Sequence, residues 1–231
     1  MTESRNSKIS EGPWTIERVL RWTREFFDKK HIEEARLDAD LLLAHALGCE
    51  RIDLYLEYKR PLEPEELGRY RNLVLRRARG VPVAYLRGYR EFMSLRFFVD
   101  ENVLIPRPET EFVVEEGIAE IRRVLHAGRP VAGRAKGEAR EESEKPVVVD
   151  VGTGCGAIAV SITANVPEIE IWATDISRAA LGVARRNADY HGVQDRIRFL
   201  QGDLLEPLRS GGLEGRVDVL LSNPPYIDPG T

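Results

Sequence analysis

A chain of 231 residues that is 42% hydrophobic is long enough for one large domain, or a small one joined to a larger one, and apolar enough to exclude global disorder. A formal net charge of -4 supplies no global basic field to gather nucleic acid. Cys49 and Cys155 stand far apart and the histidines (His31, His45, His126, His191) are scattered, so neither a disulfide framework nor a metal site is expected.

No apolar run reaches transmembrane length and no charged-then-apolar leader opens the chain, which leads us to expect a cytoplasmic protein with no membrane partner. After a polar start, Thr15 can cap a helix whose residues Ile16, Val19, Leu20, Thr23 and Phe27 recur at helical spacing. A second helix carries Leu37, Leu41, Leu42 and Ala44 and stops at Gly48. A third, from Pro64 to Arg79, has proline and acid in its first turn and arginines in its last, in the order a helix dipole favours. These helices describe a small all-α N-terminal bundle, residues 1–85.

Residues 86–106 read as a β-hairpin bridge, because Phe92, Leu95, Phe97, Val99, Val103 and Leu104 follow an alternating pattern. Pro108 then opens a helix running through Phe112, Val113, Ile118, Ile121 and Val124. The stretch 127–145 is small or charged and reads as an exposed linker within a third region, 107–231. From Pro146 onward strands and helices alternate. The strands are Val147–Val151, Ile169–Ala173, Ile197–Leu200 and Val217–Leu221, with helices near 157–164 and 177–190. This pattern implies a Rossmann-like α/β fold with a parallel sheet, which binds ligands beyond the carboxyl ends of its strands.

The first strand ends in Asp150-Val151-Gly152-Thr153-Gly154-Cys155-Gly156. Alternate glycines remove side chains where a ligand must approach the backbone, although a tight turn without a ligand would use the same residues. The spacing differs from the G-x-G-x-x-G that wraps a pyrophosphate. Asp175, after the second strand, stands where a carboxylate accepts from both ribose hydroxyls; it is also placed to cap the helix near Ser177. Asp203, after the third, can read an exocyclic amino group. An adenosine-like ligand without phosphates follows, and S-adenosylmethionine fits.

The fourth strand runs into Ser222-Asn223-Pro224-Pro225-Tyr226. A proline turn ending a strand would suffice to explain it. In series with the glycine loop and two carboxylates it suggests chemistry: the Asn223 side chain and the Pro224 carbonyl can accept both protons of a planar NH2 group. That orients its nitrogen toward a methyl group, while Pro225 stiffens the turn and Tyr226 stacks on the flat group. We therefore expect Asn223, Pro224 and Tyr226 to be catalytic.

Asn-Pro-Pro-Tyr after the fourth strand, with G-x-G-x-G after the first, resembles the class I amino-methyltransferases. The stretches Gly80-Val81-Pro82-Val83-Ala84-Tyr85-Leu86-Arg87-Gly88, Glu91-Phe92 and Val103-Leu104-Ile105-Pro106-Arg107-Pro108-Glu109-Thr110-Glu111 narrow this to the HemK/PrmC family of peptide chain release factor N5-glutamine methyltransferases, from about Trp14 to Asp228. The resemblance implies a helical domain that helps hold a class 1 release factor, a hairpin bridge and a catalytic domain that methylates the glutamine of its Gly-Gly-Gln loop. It implies that Gly152, Thr153, Gly154, Cys155, Gly156, Asp175, Asp203 and Leu204 hold S-adenosylmethionine beside Asn223, Leu204 lining the adenine pocket where relatives often carry an aromatic residue. Asn223, Pro224, Pro225 and Tyr226 would hold the glutamine amide. The family fold continues past this loop with a helix and three strands, so the expectation is a C-terminally truncated, monomeric methyltransferase with no nucleic acid partner. The alternatives are an adenine-N6 nucleic-acid methyltransferase and a non-catalytic fragment that binds S-adenosylmethionine.

Overall fold

The computed structural model describes residues 12–127, 145–209 and 211–224. Pro225, Tyr226 and most of the expected linker lie outside them. The chain divides into two compact units, Met1–Arg87 and Gly88–Thr231.

In the first unit, helix α1 (Ile16–Lys29) starts where the Thr15 hydroxyl accepts from the Arg18 amide at 3.3 Å, and it buries Ile16, Val19, Leu20, Thr23 and Phe27 as one stripe. Helix α2 (Ala35–Leu47) stops at Gly48, whose φ of 68° only glycine adopts without strain. The short α3 (Asp53–Leu56) and α5 (Val83–Arg87) flank α4 (Pro64–Arg77), which ends two residues before the expected Arg79. Leu20, Phe27, Leu42, Leu43, Leu54 and Tyr70 fill the core. Leu37 and Leu41 stay half-exposed, while α2 buries two carboxylates instead. Asp40 is salt-bridged to Arg24 at 2.7 Å and accepts from the Tyr55 hydroxyl; Asp38 takes the Arg77 Nε at 2.7 Å. Pairing of this kind keeps a buried carboxylate ionised.

The second unit opens with an antiparallel hairpin, β1 (Tyr89–Phe92) and β2 (Leu95–Phe98). Its two-residue turn puts Met93 (φ 50°) and Ser94 (φ 59°) in the left-handed region, which costs residues with a Cβ roughly 1–2 kcal/mol each. A carboxylate oxygen of Glu111 accepts from the Met93 amide at 2.8 Å and helps hold that turn. Pairing ends at Phe98, so Val103 and Leu104 are not in a strand: Val103 is buried in a loop and Leu104 is exposed. Helix α6 (Thr110–Ala127) begins after Pro108 and packs through Val114, Ile118, Ile121 and Val124, while Phe112 stays exposed.

A four-stranded parallel sheet follows: β3 (Val147–Val151), β4 (Glu170–Asp175), β5 (Ile197–Gln201) and β6 (Val219–Ser222), in spatial order β5-β4-β3-β6. Helices α7 (Ala157–Asn165) and α8 (Arg178–Tyr190) connect the first three strands, and the short α9 (Glu206–Arg209) precedes the fourth. The inner strands are buried on both faces, as the run Val147-Val148-Val149 suggests. The chain steps outward from β3 to β5 and then returns to the far side of β3. The reversal places a switch point at the carboxyl end of β3, between β4 and β6.

Candidate active site

Gly152, Gly154 and Gly156, all at positive φ, turn the chain from β3 into α7. Among the described residues a Cβ at Gly152 or Gly154 would meet nothing within 4 Å, whereas one at Gly156 would press on Ala184 of α8 at 3.2 Å. The first two glycines thus face open space where a ligand can approach the backbone, and the third lets the helices pack. The loop is tied to β4 because the amides of Gly152 and Thr153 both donate to the Thr174 carbonyl at 2.9 Å.

Asp175 ends β4 beside this loop. One carboxylate oxygen accepts from the Gly154 amide at 2.9 Å and the other from the Ser177 amide at 2.8 Å. It therefore braces the glycine loop and the approach to α8, and each oxygen keeps a lone pair for a ligand hydroxyl. Asp203 follows β5 and is exposed. Leu204 sits at φ 44° with 63% of its surface exposed, and its carbonyl accepts from the Thr174 hydroxyl at 3.0 Å. Backbone strain of this kind is enriched at ligand-binding loops. Ile176, 70% exposed directly after Asp175, was not singled out from the sequence. A large apolar side chain left in water beside a carboxylate was the available signal.

Thr153 and Cys155 are buried, so their side chains do not line the open side of the loop. The Thr153 hydroxyl donates to Asp150 at 2.6 Å. Asp150 is fully buried, its second oxygen makes no hydrogen bond of good geometry, and burial pushes its pKa up to about 6 against the pull of the Thr153 hydroxyl. Burial likewise pushes the Cys155 thiol up to about 12, so it is no nucleophile. Beneath the loop lies Asn187 of α8, fully buried and missed in the sequence. It accepts from the Phe98 amide at 2.7 Å and donates to the Phe98 carbonyl at 3.0 Å and the Cys155 carbonyl at 2.8 Å. One side chain thus joins the hairpin to the glycine loop.

On the other side of β3, Ser222 pairs with Val151 and its hydroxyl donates to the Val151 carbonyl at 2.8 Å. Gly152 and Asn223 therefore leave adjacent strands, which lie ~4.8 Å apart. The half-buried Asn223 donates its side-chain amide to the Thr110 hydroxyl at 2.9 Å, and Pro224 is exposed. Helix α6 comes close enough for this contact because Gly117 has no side chain: a Cβ there would stand 3.0 Å from Leu221 of β6. The sheet thus brings Gly152, Gly154, Asp175 and Asn223 to the ends of three neighbouring strands. Among the described residues no cluster of histidine, cysteine and acidic side chains is suited to a metal ion, and no helix is long and apolar enough to cross a membrane.

Comparison with known proteins agrees with this architecture. The family model of the PrmC N-terminal domain matches residues 18–88, and that of the methyltransferase small domain matches 138–230. The chain is 46% identical over 218 residues to a release factor glutamine methyltransferase of Rhodopirellula baltica, covering 94% of this chain and 68% of that protein. It is 43% identical to the enzyme of that name from Chlorobaculum tepidum, over 94% and 69% of the two chains. For the one from Geobacter sulfurreducens the identity is 40%, over 95% and 68%. With both domain models matched in order and relatives this similar over more than two thirds of their length, the chain belongs to the release factor glutamine methyltransferase family.

Proposed function

We propose that this chain methylates the side-chain amide nitrogen of the glutamine in the Gly-Gly-Gln loop of a class 1 peptide chain release factor, using S-adenosylmethionine. Family membership supports the substrate class. The observation that carries the chemistry is the emergence of Asn223 beside the glycine loop, on the strand adjacent to β3.

The residues at the strand ends fit the cofactor. Gly152 and Gly154 leave room over the backbone for its body, Asp175 offers acceptors for two ribose hydroxyls, and Ile176 and Leu204 supply exposed apolar surface for a purine. Asp203 is the further acceptor we assign to an exocyclic amino group. S-adenosylmethionine supplies an electrophilic methyl group on a sulfonium. The protein's task is then orientation: an Asn223 carbonyl and the Pro224 carbonyl accept the two protons of the glutamine amide and aim its lone pair at that methyl. No base is needed before attack, because the alkylated amide becomes strongly acidic and sheds its proton afterwards. We assign Pro225 and Tyr226 a part in binding the glutamine amide, and the helical unit to recognition of the release factor.

Two substitutions separate binding from transfer. Asp175→Ala is expected to weaken S-adenosylmethionine binding in calorimetry before anything else. Asn223→Ala should keep that affinity and lose roughly 10²-fold in turnover on a release factor, the cost of removing one preorganised polar group. Undiminished turnover in Asn223→Ala would remove that residue from the mechanism, and methyl label entering only DNA would favour the adenine-N6 reaction.

A further inference from the structure

We infer that Thr110 is a positioning residue for methyl transfer: its hydroxyl holds the Asn223 amide with the amino end turned away from the site and the carbonyl end toward the incoming glutamine. The inference rests on the function proposed above and adds a residue that acts only through Asn223.

A primary amide has nearly the same shape in two orientations related by a half-turn. In one, Asn223 presents an acceptor to the substrate NH2. In the other, it presents an NH2 against an NH2, and two donors face each other. The choice must be imposed by a neighbour. In the structure Asn223 Nδ2 lies 2.9 Å from Thr110 Oγ1. Thr110 is 6% exposed, so water has little access to replace it.

Three features fix the start of α6, which carries the hydroxyl. Thr110 opens α6, its amide donating to the Arg107 carbonyl at 3.0 Å. The next residue, Glu111, is anchored to the hairpin turn through the Met93 amide. Gly117 holds the same helix against Leu221, two residues before Asn223. A threonine hydroxyl can donate as well as accept, so the claim is specific: the accepting arrangement prevails and leaves Oδ1 for substrate.

Thr110→Val keeps the shape and removes the hydroxyl, and Thr110→Ser restores it. The expected result for Thr110→Val is a loss of about 10- to 100-fold in kcat on a release factor, with S-adenosylmethionine affinity and release-factor KM within about twofold of wild type. Thr110→Ser should recover most of that loss. In asparagine-labelled ¹⁵N spectra the side-chain NH2 signal of Asn223, identified by its disappearance in Asn223→Ala, should move in Thr110→Val and return in Thr110→Ser.

Wild-type kcat in Thr110→Val, a loss confined to KM or cofactor affinity, or an equal loss in Thr110→Ser would overturn the inference. So would an Asn223 signal indifferent to Thr110→Val. If Asn223→Ala itself retains full turnover, the role proposed for Asn223 fails instead, and the spectra still report whether Thr110 holds the amide.

Discussion

Replacing Asn187 tests how the hairpin and the glycine loop are held together. The side chain makes three hydrogen bonds to backbone groups, of 2.7, 3.0 and 2.8 Å, from a fully buried position. Asn187→Leu removes all three and leaves the Phe98 amide, the Phe98 carbonyl and the Cys155 carbonyl without that partner. Each such group costs about 1–3 kcal/mol, and since Phe98 is only half-buried the lower end applies, for a total of about 3 kcal/mol. A loss of that size is a large fraction of the ~5–15 kcal/mol that stabilises a typical domain. Trp172 reports on this unit alone once Trp14 and Trp22, which belong to the other unit, are changed to phenylalanine. At a urea dependence of about 1–3 kcal/mol per molar, its unfolding midpoint should fall by about 1–3 M. A midpoint within about 0.3 M of the parent would show that these contacts do not carry the junction.

Further outcomes follow from other contacts. Gly202→Ala would bring a Cβ to 2.3 Å from Pro207 Cγ, so the turn after β5 must shift; about 1–3 kcal/mol of stability and part of the S-adenosylmethionine affinity should go with it, as melting and calorimetry would record. Arg24→Met leaves Asp40 buried without its close cation and should destabilise the helical unit by about 3 kcal/mol, with much of this recovered in the Arg24→Met/Asp40→Leu double variant; equal losses in both would contradict the pairing argument. Asp150 has a folded pKa of about 6 against an ordinary 3.8, so the folded state binds the proton more tightly. Its contribution is therefore most favourable below about pH 4 and is lost as pH rises through about 6. Urea titrations should find wild-type stability falling relative to Asp150→Asn across that window, and a constant difference would contradict the burial argument.

Much of this architecture was legible locally. The stripe of α1, the valine run of β3 and the glycine at the end of α2 each state their structure within a few residues. The strand ends bearing Gly152, Asp175 and Asn223 could be put side by side because alternating strands and helices imply a parallel sheet. What escaped depends on contacts distant in sequence. Asp38 and Asp40 look like surface charges on a helix until Arg77 and Arg24 arrive from other helices. Thr110 lies 113 positions from Asn223, and Asn187 lies 89 from Phe98, so neither spacing announces a bond. The hairpin ends earlier than its pattern suggests because Val103 is buried although it lies in a loop, and burial alone mimics the strand pattern.

The central claim is that the loop after β6 presents a glutamine amide to a methyl donor held over the glycine loop. Incubating the chain with S-adenosylmethionine carrying a labelled methyl group and a class 1 release factor, then locating the label by peptide fragmentation, tests it directly. The account predicts one methyl on the side-chain nitrogen of the Gly-Gly-Gln glutamine, its rate of appearance falling roughly 10²-fold with Asn223→Ala. Bound S-adenosylmethionine with no label on that nitrogen, or label on another residue of the release factor, would contradict it.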